Sequence, residues 1–205
     1  TTASVIGREF SLDLLDSLID WADEDQLLDL LEQALSTHVI DEIPRTLGQY
    51  KFSHALIQET LSEEMSTTRR IRLHARIVEV LEGLYGSDAQ AHADEIIYHL
   101  AQAERVLGSD KLLRYSMTAG ELALSNYAYE EAEIHFQRVL DAKKDLPVDA
   151  ETAGASFGLG RSQAATGETF QFQEAVSNLN CAIDFYIEQG DIERAVGVAE
   201  HPIHP

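Results

Sequence analysis

Apolar residues recur every three to four positions along most of this chain, and only two short stretches break that rhythm. Residues 11 to 20 place Leu14, Leu15, Leu18 and Ile19 on one stripe, which predicts a helix. Asp23 followed by Gln26 forms a variant capping box that opens a second helix in "QLLDLLEQAL". "HVIDEI" and "QYKFS" then alternate apolar and polar residues, and the intervening "PRTLG" supplies turn residues, so together they predict one small β-hairpin. Helical spacing returns over Ala55 to Met65 and Thr67 to Tyr85, the second helix packing through Leu73, Ile77, Val80, Leu81 and Leu84. Ser87 with Gln90 gives another capping signal before a helix carrying Ala93, Ile96, Ile97, Leu100 and Leu107. The fold class read from this pattern is mainly α, a small helical unit with a hairpin wing over residues 1–86 giving way to pure helix over 87–205.

The second half repeats itself. Gly120, Ala132 and Phe136 recur in order as Gly160, Ala175 and Leu179 with Ala182, the second copy carrying three extra residues in its turn. Small residues at these positions let two antiparallel helices approach closely, and glycine inside a helix otherwise costs about 1 kcal/mol against alanine. A third copy begins at "GDIERA" and stops at "HPIHP". Tetratricopeptide-like helix pairs, an α-solenoid with its last repeat incomplete, account for this better than an irregular bundle.

Composition narrows the function. With 44% hydrophobic residues among 205, the chain can bury real cores, and its formal charge of −21 repels a nucleic-acid backbone. Cys181 is the lone cysteine, which rules out an intrachain disulfide and points to a reducing, cytoplasmic setting; its apolar helical context predicts a buried thiol. No apolar run approaches the roughly 20 residues that cross a bilayer. No catalytic constellation stands out either. "GLGRSQAATGET" lacks the Gly-Lys-Ser/Thr ending of a phosphate loop, and no strand-turn-helix setting presents a nucleophilic serine. His92, Glu95 and His99 share a helix at i, i+3 and i+7, but they flank the apolar stripe and read as packed side chains, so no metal is predicted.

One segment runs against the acidic balance. Arg69, Arg70, Arg72 and Arg76 place four of the fifteen basic residues within eight positions, in the first turns of a helix, where the macrodipole disfavours cations. Local compensation by Glu59, Glu63, Glu64 and Glu79 is the expectation, and contact with another domain the alternative.

"ASVIGREFSLDLL", "YKFSHALIQETL", "RRIRLHARIVEVLE" and "NYAYEEAEIHFQRVL" resemble, in this order, the segment following the ATPase core in bacterial signal-transduction ATPases with numerous domains. That family includes large ATP-binding LuxR-type transcription regulators and ATPase-coupled nucleotide cyclases. The resemblance implies a winged helix leading into tetratricopeptide repeats, and a non-enzymatic regulatory fragment. It would hold no cofactor itself, with ATP or ADP bound in an upstream ATPase domain that Arg69, Arg70, Arg72 and Arg76 would contact. The lack of an initiator Met and the half repeat agree with a fragment. The repeat face would carry a protein, peptide or small inducer: Arg114, Met117, Glu121 and Leu124 share one side of a helix, and Phe157, Arg161 and Ala164 would continue it. "FSHALIQETL" resembles the Met-His-Asp motif of nucleotide-binding oligomerisation proteins, whose histidine contacts the β-phosphate of ADP. His54 would take that role, although Ser53 and Ala55 replace the motif's Met and Asp. The bland alternative has His54 cap the helix or bond a hairpin carbonyl. A free-standing repeat adaptor binding a peptide or protein is the runner-up function.

Overall fold

The computed structural model describes residues 1–166 and 171–200, with the backbone alone at Gln171. It is mainly helical with one small antiparallel sheet, and it divides into two compact units, Thr1–Gly108 and Ser109–Pro205. The sequence places the division after Gly86. The compact units divide instead at Gly108, because the helix after Gly86 packs along the one before it.

In the first unit the elements run α1 (Thr2–Ile6), β1 (Glu9–Ser11), α2 (Leu12–Leu18), α3 (Glu24–Ser36), β2 (Ile40–Glu42), β3 (Gln49–Phe52), α4 (Ala55–Glu63), α5 (Thr67–Tyr85) and α6 (Ala93–Leu107). The predicted hairpin is β2 and β3, but β3 is also paired on its other side by β1, giving the sheet order β1-β3-β2. Helix, strand, two helices and a hairpin, with the last strand central, is winged-helix connectivity. A three-residue strand carries too little alternation to be read locally; β1 exists because Phe10 meets Tyr50 across the ladder and stacks on it at 5.7 Å. Ser11 ends that strand and caps α2, its Oγ accepting from Leu14 N at 3.2 Å. The Asp23 and Gln26 capping box closes in both directions, at 2.9 and 3.3 Å. The second capping signal does not: residues 86–92 form a 3-10 turn, and α6 starts at His92 without a side-chain cap.

Helix α5 supplies the floor of this unit and packs on α6, α2 and α1; Ile77, Val78 and Leu81 on α5 and Ile96, Leu100 and Ala103 on α6 are fully buried. Tyr85 meets Glu95 while His74 meets His99, so the two helices run antiparallel. Leu84, expected in the packing stripe, is half-exposed.

The second unit stacks α7 (Asp110–Ser125) on α8 (Tyr129–Lys143), α8 on α9 (Ala150–Thr166), α9 on α10 (Gln171–Glu188), and α10 on α11 (Ile192–Ala199). The repeated small residues have a direct reason. A Cβ on Gly120 would lie 2.7 Å from the Phe136 ring, and one on Gly158 would overlap the same ring, so Phe136 of α8 is lodged between α7 and α9. Gly160 receives Leu179 in the same manner, its virtual Cβ lying 2.8 Å from Cγ. The helix ends repeat too. Tyr127, left-handed at φ 61°, closes α7 as Gly190, at φ 73°, closes α10, with Ala128 N donating to Ala123 O and Asp191 N to Tyr186 O. The extra residues of the second turn and the closing "HPIHP" lie outside the described residues.

Candidate functional site

His54 is the N-cap of α4, extended at φ −141° and ψ 136°, and its ring is exposed and makes no capping hydrogen bond. Neither role of the bland alternative is seen: among the described residues the ring bonds no hairpin carbonyl. The serine before it fixes the junction instead. Ser53 Oγ donates to His38 O at 2.6 Å and Ser53 N to Val39 O at 3.2 Å, pinning the start of α4 to the left-handed turn that ends α3. His54 is thus presented by anchored backbone at the positive end of a nine-residue helix.

The arginine segment is compensated at one position only. Arg76 binds Asp20 through both guanidinium nitrogens, at 2.6 and 2.7 Å, and its Nη2 reaches Ser17 O at 3.5 Å. The hydrogen bonds from Arg76 hold the Asp20 carboxyl below its usual range. The expected partners are therefore corrected. Glu79 acts on Arg76 only through space, and Glu59, Glu63 and Glu64 pair with none of the four. Packing of α2 on α5 delivers Asp20 from 56 residues away, which helical spacing cannot reveal. Among the described residues Arg69, Arg70 and Arg72 have no ion-pair partner; Arg69 and Arg72 are exposed and Arg70 is half-buried.

On the repeat unit, part of the predicted face assembles. Arg161 Nη1 donates to Glu121 Oε2 at 3.3 Å, bridging α9 to α7, and its guanidinium lies 5.2 Å over the Phe157 ring. The side chain of Met117 lies against the virtual Cβ of Gly154 at 3.3 Å, filling the floor between these helices. Arg114 is exposed, and Ala164 half-buried. Leu124 is not on this face: it is buried with Ala132 and Phe136, because α8 closes over the end of α7 as the chain turns.

The residues weighed for metal or thiol chemistry are dispersed. His92 stacks on Tyr85 at 3.8 Å, Glu95 accepts from the Tyr85 hydroxyl at 2.7 Å, and His99 turns inward to His74. Burial, with that bond, pushes the Tyr85 hydroxyl up to about 12. Cys181 is half-buried rather than buried. Beside Tyr85 a cleft of about 480 Å³ is floored by Phe10, Leu14 and Leu81 and edged by Glu9, Asp13 and Glu95, without a cation, an electrostatic lining that repels phosphate.

The first unit is a helical body with a three-stranded antiparallel sheet and an acidic α3, and the second a stack of antiparallel helix pairs. No protein-family model, curated protein or solved structure matches the chain. No helix is long and apolar enough to cross a membrane among the described residues.

Proposed function

We propose that this chain is a non-enzymatic regulatory segment of a signal-transduction ATPase, acting in transcription regulation, whose winged-helix unit docks on a nucleotide-binding domain while the helix pairs recognise a protein, peptide or small inducer. The observation that carries this reading is the character of α3. In winged-helix connectivity this helix is the usual groove reader, yet here it exposes Glu24, Asp25, Asp29 and Glu32 and has no basic residue. A helix so charged is repelled by DNA, and a winged helix without a nucleic-acid partner is best used as a docking module for protein.

Two features supply the docking chemistry. His54 is exposed with its ring uncommitted, so it can give one charge-assisted hydrogen bond to an ADP phosphate held by a neighbouring domain, biasing the closed state by roughly 1.5–3 kcal/mol. Arg69, Arg70 and Arg72 offer cations that nothing in the unit neutralises, fit for an acidic surface of that domain. In the natural gene product carrying this segment, His54→Ala then weakens ADP retention about tenfold or more and raises basal output. Unchanged ADP dissociation, with circular dichroism intact, overturns the role of His54.

The bridged face of Glu121, Phe157 and Arg161 favours a second reading, a free-standing adaptor that holds a peptide between α7 and α9. The two readings separate on whether the same polypeptide also encodes a Gly-Lys-Ser/Thr phosphate loop.

A further inference from the structure

We propose that His74 and His99 form a proton-operated latch between α5 and α6, closed while both rings are neutral and released by uptake of two protons. Their Nδ1 atoms lie 2.8 Å apart, and the rings are 4% and 1% exposed. One hydrogen fits between two nitrogens at that distance, so one ring donates and the other accepts.

The tautomers follow from the far side of His99, whose Nε2 is buried without a partner. A buried N–H left unpaired is a costlier orphan than a bare lone pair. His99 therefore carries its hydrogen on Nδ1 and donates to His74 Nδ1, and the hydrogen of His74 sits on its Nε2. The first added proton finds its open lone pair at His99 Nε2; the shared hydrogen then passes to His74 Nδ1, which leaves the charge on His74 and an orphaned N–H at His99 Nε2. The second must go to His99 Nδ1, which removes the acceptor and sets two N–H groups face to face.

The surroundings oppose both steps. Arg70 lies one turn before His74 on α5, and Tyr98 meets His74 and His99 edge-on, at 5.9 and 5.0 Å. Among the described residues no carboxylate of α1, α2, α5 or α6 acts on either ring. Burial, aided by Arg70, pushes His74 down to about 4; burial, aided by His74, pushes His99 down to about 3. Both values fall below the unfolded imidazole near 6.5. The latch is thus at full strength above that pH and is lost progressively as the pH falls from about 6.5 toward 4. Two protons acting together can shift the open population by up to about a hundredfold per pH unit.

The test is carried out on the full chain. Hydrogen exchange, corrected for intrinsic rates, is compared at pH 7 and pH 5: protection of α6 falls at least about tenfold, while that of α9 is unchanged. Imidazole ¹⁵N spectra at pH 7 place an unprotonated Nε2 on His99, with both rings neutral down to pH 5. His74→Asn retains an acceptor for His99 Nδ1–H and removes one titrating group, so the acid dependence drops to that of a single proton. Either ring titrating near its ordinary value in the folded chain, or α6 protection independent of pH, overturns the latch. Should the variant fail to fold, the wild-type spectra decide alone.

Discussion

Phe136 shows most directly how single residues shape the repeat unit. Its ring tip occupies the space that side chains on Gly120 and Gly158 would need, and neither glycine is in a left-handed conformation. These glycines are there for close approach, not for backbone freedom. Replacing Gly158 with Ala would improve intrinsic helix propensity by about 1 kcal/mol but force the buried ring aside. Overpacking prevails at a fully buried site, so Gly158→Ala lowers stability by about 1–3 kcal/mol net, read as a reduced urea midpoint with an unchanged slope. A stabilised variant would mean that Phe136 has room to move.

Charge acts at the level of whole elements. Four acids on α3 and three uncompensated arginines on α5 give two helices of one unit opposite surface character. The exposed pair of Arg76 with Asp20 is of the kind that contributes about 0–1 kcal/mol, so it orients α2 against α5 more than it stabilises them. For α3 the expectation is that the chain gives no fluorescence-anisotropy change with a duplex oligonucleotide at about 0.1 M salt, because no basic side chain on that helix can release counterions. Salt-sensitive binding would reassign the winged helix to DNA.

For the molecule as a whole, the two units have separate cores, one centred on Ile77, Leu81, Ile96 and Leu100 and the other on Phe136 and Leu179 with their neighbours. The place of the division is testable by truncation. A fragment ending at Gly108 keeps α6 over Ile77, Val78, Leu81 and His74 and melts cooperatively. One ending at Gly86 strips that cover and exposes three aliphatic side chains that are at most 1% accessible. Burial of each is worth about 1.5–3 kcal/mol, comparable in sum to the whole stability of a small domain, so the shorter fragment loses its cooperative melt in calorimetry. Equal melts would return the boundary to Gly86.

The helices other than α1, the capping box at Asp23, the hairpin and the repeated order of small and large residues were legible in local pattern, because each depends on contacts a few residues apart or on one periodic stripe. His54 at the head of a helix was legible for the same reason. What escaped depends on distant parts of the chain. Strand β1 is too short to announce itself without β3, Asp20 reaches Arg76 only after α2 has packed, and Leu124 leaves the predicted face because α8 covers it. The imidazole pair is the clearest case. His99 was read from the sequence as a packed side chain, but its partner lies 25 residues earlier, and only the antiparallel packing of α5 on α6 sets two ring nitrogens at hydrogen-bond distance. Periodicity determines which side of a helix is buried; the register of one helix against another determines what each buried polar group meets there.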